Sequence, residues 1–131
     1  METMPYLAIR SAASLIVLER GFVRNYPLDA KNLWRIGRKN PETENDIELE
    51  SKIVSRKHGY IQNIDGEWYY VGSGSLNGTY YNGKKIAMNE NSEYEAVKLS
   101  NGDILRVDSD NLENPEERGV LLIFTTEGIG N

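Results

Sequence analysis

Apolar runs of about four to eight residues, each closed by glycine, asparagine, aspartate or proline, recur about every ten residues along this chain. An amphipathic helix needs apolar residues at i, i+3, i+4 and i+7 over ten or more positions, and these runs are too short for that. The run Glu67-Trp68-Tyr69-Tyr70-Val71 is also rich in aromatic and β-branched side chains, which suit a pleated, packed surface. The expected fold is therefore all-β, a sandwich of two mainly antiparallel sheets with about eleven strands. They are placed at residues 6–9, 15–18, 21–27, 33–37, 46–49, 59–63, 68–72, 79–81, 95–99, 103–107 and 120–125.

Turn chemistry supports this division. Asp65-Gly66, Asn77-Gly78, Asn82-Gly83 and Asn101-Gly102 each offer a residue pair that tolerates positive φ, so four tight reversals are expected. Residues 38–45, with Pro41, and the acidic stretch 108–117, with Pro115, read as longer loops. With no internal repeat or shift in composition, the expected organisation is one domain over residues 1–131. Its core covers about 6–126, and 127–131 form a frayed end or the start of a linker.

Several chemistries are disfavoured by what the chain contains. It has no cysteine, which removes disulfides, thiolate metal sites and a cysteine nucleophile, and fits a reducing, cytoplasmic location. His58 is its one histidine, so no histidine metal cluster can form, and no serine, histidine and acid share a spacing suited to a triad. The expectation is a non-enzyme without metal or cofactor. The apolar run 12–18 is far shorter than the roughly 20 residues of a membrane span. A formal net charge of −5 argues against nucleic acid and anionic membranes as partners, and a monomer is expected.

Any anion this chain binds must therefore meet a local basic site. Four motifs can build one: Ile36-Gly37-Arg38, Ser55-Arg56-Lys57-His58, Ser75-Leu76-Asn77-Gly78-Thr79 and Asn82-Gly83. A phosphate ester carries about −1.5 to −2 charges and three acceptor oxygens, so its binder needs a cationic fork and neutral donors converging from different loops. Arg38 follows an expected strand, and its planar guanidinium can meet two phosphate oxygens at once. Ser55 offers a hydroxyl, and Arg56 a backbone N–H and a second cation. Taken alone, Ser55 reads as an ordinary turn residue and Asn77-Gly78 as a tight turn. Gly37 and Gly78 are explained by backbone geometry, and His58 and Thr79 as groups that hold loops in shape.

Between Arg35 and His58, six basic residues face five acidic ones, so geometry must concentrate the positive charge. Lys84 and Lys85 can widen the positive surface, although paired exposed lysines also read simply as a solvated turn.

In this order and at these separations, the four motifs resemble the forkhead-associated family, whose pattern continues through Asp46-Ile47-Glu48-Leu49 and Asn101-Gly102-Asp103-Ile104. The likeness covers roughly residues 15–124. It implies a β-sandwich with phosphopeptide-binding loops at one end, acting as a phosphothreonine-dependent adaptor. The implied partner is a phosphothreonine protein, a Ser/Thr kinase or its substrate among the candidates. By the same resemblance Arg38 and Ser55 hold the phosphate, Arg56 adds a contact, and the Asn77 amide anchors the peptide backbone. Ser73, Ser75 and Lys84 are auxiliary candidates, while Gly37, His58, Gly78, Thr79, Asn82 and Gly83 support the loops. The sequence departs from the family at Leu76, where a small polar residue is usual, and at Gly72-Ser73-Gly74, which replaces an aspartate-led turn. One lost neutral hydrogen bond costs about 0.5–1.5 kcal/mol, so weakened rather than abolished binding is expected. The alternative is a phosphate-independent scaffold on the same fold, which Leu76 favours.

Overall fold

Strict alternation of buried and half-buried side chains along Ser14–Glu19 makes this segment a strand, with Leu15, Val17 and Glu19 facing inward. The computed structural model describes residues 12–73, 78–86, 96–107 and 119–126. Within them the strands are β1 (Ser14–Glu19), β2 (Phe22–Pro27), β3 (Leu33–Arg38), β4 (Ile47–Leu49), β5 (Gly59–Ile64), β6 (Glu67–Gly72), β7 (Tyr80–Tyr81), β8 (Lys84–Lys85), β9 (Val97–Lys98), β10 (Ile104–Val107) and β11 (Val120–Thr125). One sheet has the order β2-β1-β11-β10-β7-β8 and the other β4-β3-β5-β6-β9. All neighbours run antiparallel except β3 and β4, which are parallel.

The result is the expected sandwich. Leu15, Val17, Leu105, Val120, Leu122 and Phe124 of the first sheet pack onto Ile36, Ile47, Leu49, Ile61, Trp68 and Tyr70 of the second. The Trp34 indole N–H, buried at the margin of this core, is satisfied by the Leu28 carbonyl at 3.0 Å.

Tight turns sit where paired residues adopt positive φ. Asp65-Gly66 closes β5-β6 with φ 53° and 86°, and Asn82-Gly83 closes β7-β8 with 47° and 89°. A third such turn, Arg20-Gly21 between β1 and β2, was not among the expected ones. Two further elements depart from expectation. The expected solvated turn at Lys84-Lys85 is instead strand β8, because the Asn82-Gly83 turn folds it back onto β7 in register. A short 3-10 turn, Leu28–Ala30, follows β2, and the Asp29 carboxylate accepts the Ala13 N–H at 2.9 Å. The expected strand at 6–9 lies outside the described residues.

Strand directions decide where the loops go. The registers place the ends of β1, β3, β4, β6 and β10 at one end of the sandwich. The connections β1-β2, β3-β4, β4-β5, β6-β7 and β10-β11 therefore all emerge there. Glu19, only 4% exposed, ties this end together. One carboxylate oxygen accepts from Arg24 at 2.9 Å, and the other accepts the N–H groups of Glu50 and Ser51 at 2.8 Å each. Arg24 also donates to the Glu48 carbonyl at 2.9 Å. A carboxylate so placed clamps the first sheet to the loop that leaves β4.

Glu19→Ala should strand two backbone donors and a half-buried guanidinium, lowering the unfolding free energy in urea by about 2–4 kcal/mol. A loss under about 0.5 kcal/mol would show that the clamp is dispensable.

Candidate functional site

Gly37 is the residue that lets the loops meet. A Cβ there would lie 2.0 Å from the Arg56 carbonyl oxygen and 2.7 Å from the Asn45 amide nitrogen, so no other residue fits. In that space the Asn45 side chain donates to the Arg56 carbonyl at 2.8 Å, binding the β3-β4 loop to the β4-β5 loop. The next residue, Arg38, donates its backbone N–H to the Ser55 carbonyl at 3.0 Å. Its guanidinium is partly exposed and reaches the Lys52 carbonyl at 3.3 Å. Asn40 holds the loop in shape: its amide donates to the Arg38 carbonyl at 2.7 Å, and its oxygen accepts from Glu42 and Thr43 N–H at 3.0 and 2.8 Å. The backbones of Arg38, Ser55 and Arg56 thus form one patch of linked loops. The Arg56 guanidinium is exposed, with Glu42 at 3.7 Å, a screened surface pair.

Beneath this patch lies His58, 1% exposed. Its Nδ1 accepts the Ser55 N–H at 3.1 Å, which leaves the single proton of the neutral ring on Nε2. That proton faces the Gly78 carbonyl at 3.1 Å and the Thr79 hydroxyl at 3.0 Å. Burial pushes the imidazole pKa down to about 4, while the Gly78 carbonyl opposes the shift. A second proton on Nδ1 would face the Ser55 N–H donor to donor. The ring therefore works as a neutral bridge between the β4-β5 and β6-β7 loops.

Thr79 is buried and also meets the Tyr70 hydroxyl at 2.8 Å. Tyr70 reaches it across Gly59, where a Cβ would lie 2.4 Å from the phenol oxygen. Gly78 adopts φ +73°, the conformation expected of a backbone-specialised residue. Asn82 accepts the Ile104 N–H at 2.8 Å and donates to Asp103 at 3.1 Å, so the Asn82-Gly83 turn is latched to β10, at the end opposite the loops. Ser73 donates its N–H to the His58 carbonyl at 3.1 Å. Lys84 lines a separate cleft with Tyr81, Lys85, Val97 and Lys98. Ser75, Leu76 and Asn77 lie outside the described residues.

Four supporting residues were not singled out from sequence: Glu19, Asn45, Gly59 and Tyr70. Glu19 left a readable signal, since it occupies an inward position of an alternating strand where an apolar residue is the norm. The others act through contacts between segments distant in sequence, for which no local pattern exists. Among the described residues, no three acidic or histidine side chains group so as to hold a metal, and no helix is long and apolar enough to cross a membrane.

The family model of the FHA domain matches residues 34–108, more than half of the chain. Full-length yeast Pml1p superimposes with a TM-score of 0.70 at 22% identity, covering 92% of this chain and 90% of that one. EmbR of Mycobacterium tuberculosis, solved with a low-affinity phosphopeptide, gives 0.66 at 27% identity over 97% of this chain and 29% of its own. An engineered FHA with a Myc-pTBD peptide gives 0.64 at 25% identity, covering 87% and 90% of the two chains. No curated protein matches the sequence.

The depressed imidazole pKa has a signed consequence. Above pH 6.5 the ring is neutral both folded and unfolded, and its full contribution is present. Between 6.5 and about 4 only the unfolded chain takes up the proton, so stability falls with pH, by about 3 kcal/mol in total from this group. Below about 4 this loss levels off. An NMR titration should find the His58 midpoint near 4, and a midpoint near 6.5 would mean that the ring is not held neutral.

Proposed function

The chain belongs to the FHA domain family, and on that premise we propose that it is a phosphothreonine-dependent interaction module that binds a phosphorylated segment without chemically altering it. The observation that carries this reading is the coupling of Arg38 to Ser55. A hydrogen bond between their backbones brings these two residues together at the loop-bearing end, where both are partly exposed, which supports their acting on one ligand. Together they suit a dianion with three acceptor oxygens: the planar fork meets two oxygens, and the hydroxyl serves another. Arg56, exposed and adjacent, adds a second cation. In a chain of net charge −5, such a cluster favours a discrete anion over a broad polyanion.

Under this reading Asn77 anchors the peptide backbone, and Ser73 or Ser75 supplies the hydroxyl that Leu76 lacks. Lys84, in its separate cleft, gives at most long-range attraction. Gly37, His58, Gly78 and Thr79 hold the binding loops in place, and Asn82 and Gly83 brace the strand that follows them. EmbR and the engineered FHA were each solved with a peptide, and that of EmbR is a phosphopeptide, which supports the ligand class. The partner would be a phosphothreonine protein, such as a Ser/Thr kinase or its substrate, met in the cytoplasm.

A fluorescence titration with a degenerate phosphothreonine peptide pool and its unphosphorylated match tests the reading. Binding is expected near the micromolar scale, about −8 kcal/mol, for the phosphorylated pool alone. Arg38→Ala should remove about 3 kcal/mol, more than a hundredfold, while the melting temperature stays the same. Equal binding of the two pools would instead favour a phosphate-independent scaffold.

A further inference from the structure

An antiparallel sheet packed on one side turns apolar side chains inward and polar ones outward. The second sheet follows this rule, with Arg35, Glu48, Gln62 and Lys98 among its outward positions. The first sheet does not. Along β1 and β11 the outward positions are Ile16, Leu18, Leu121 and Ile123, with Ser14 and Thr125 polar at one end only. The registers widen this patch on both sides: Val23 of β2 lies beside Leu18, and Ile104 of β10 lies beside Ile123. Val23 is 66% exposed and Ile104 39%. Aliphatic side chains on four adjacent strands thus make one surface, and strands apolar on both faces are the pattern of a sheet covered on both.

One border of this surface is cationic. Arg106 continues the row of Leu18 and Leu121 onto β10 and stacks over the Tyr80 ring at 4.6 Å, and Tyr80 pairs in turn with the exposed Lys85. Among the described residues, no acidic side chain faces outward on the strands of this sheet, although the whole chain carries a net charge of −5. Such a border favours an acidic partner over a second copy, whose own face would bring more positive charge.

The face also selects for backbone conformation. It offers side chains alone, because the N–H and C=O groups of a sheet lie in its plane and pair between strands. An extended segment laid on it would bury backbone groups without partners, whereas a helix satisfies its own. Four strands about 4.8 Å apart make the apolar part about 14 Å wide, a distance that about ten helical residues span.

We infer that the outward face of the first sheet is a docking surface for an acidic amphipathic helix of a partner protein. Its apolar stripe covers Ile16, Leu18, Leu121 and Ile123, and its acidic flank meets Arg106 and Lys85. Arg38 belongs to the other sheet, so this contact does not depend on the phosphothreonine reading, and one module can hold two partners at once.

The test is fluorescence anisotropy with three labelled model helices. One carries a leucine stripe flanked by glutamates, one is its scrambled isomer without the stripe, and one has lysine in place of glutamate. The acidic striped helix should bind at least about tenfold more tightly than the other two and shift the amide NMR resonances of β1 and β11. Val23→Glu and Ile104→Glu, both at exposed positions, should each weaken that binding about tenfold while the melting temperature stays the same. Failure of the striped helix to outbind its scrambled isomer, a preference for the lysine version, or binding that survives both substitutions would overturn the inference. So would self-association of the free protein that Ile104→Glu abolishes, which would assign the face to a second copy. Binding of the acidic helix that appears only in Leu7→Glu would assign it instead to the apolar run 6–9 of the chain itself.

Discussion

The loop end of this sandwich depends on one imidazole kept without charge. His58 joins two loops because Nδ1 accepts from Ser55 while Nε2–H faces Gly78 and Thr79, an arrangement that only the neutral ring with its proton on Nε2 can make. Burial enforces that state by making the charged form costly. Everything nearer the surface inherits its position from this bridge. Ser55 is set by it, Arg38 is set by Ser55, and Arg56 is held by the close pass of its carbonyl over Gly37. The exposed cations can then remain poised toward solvent while the polar groups beneath them are fully committed.

Glu19 plays the complementary role with the opposite charge logic. Here a buried carboxylate is tolerated because two backbone N–H groups and a guanidinium surround it. His58 fixes the β4-β5 loop from the side of the second sheet, and Glu19 fixes the start of the same loop from the first. The segment between Leu49 and Gly59 is consequently gripped at both ends.

Most of the architecture was legible because β-strands advertise themselves through period-two burial and punctuating turns, and those signals are local. Asn82-Gly83 announced its reversal by composition alone, since both residues accept positive φ. Strand β8 was not legible for the same reason in reverse: Lys84 and Lys85 are both exposed and carry no alternation, and only the turn before them defines their pairing. The site was partly legible. Arg38, Ser55 and His58 are residue types whose chemistry points to a role, whereas Gly59 matters only because Tyr70, eleven positions away, passes over it to reach Thr79. No local pattern encodes a contact of that kind.

The Arg24 contact with the Glu48 carbonyl bears on a different property. β2 and β4 are the outer strands of their respective sheets on the same side of the sandwich. An outer strand presents unpaired carbonyl and N–H groups, which invite a foreign strand to add on. On this side Arg24 occupies the Glu48 carbonyl, and Glu19 occupies the N–H groups just beyond β4. The clamp that steadies the loops thereby also stitches the two sheet margins to each other, blunting one route by which crowded β-proteins aggregate.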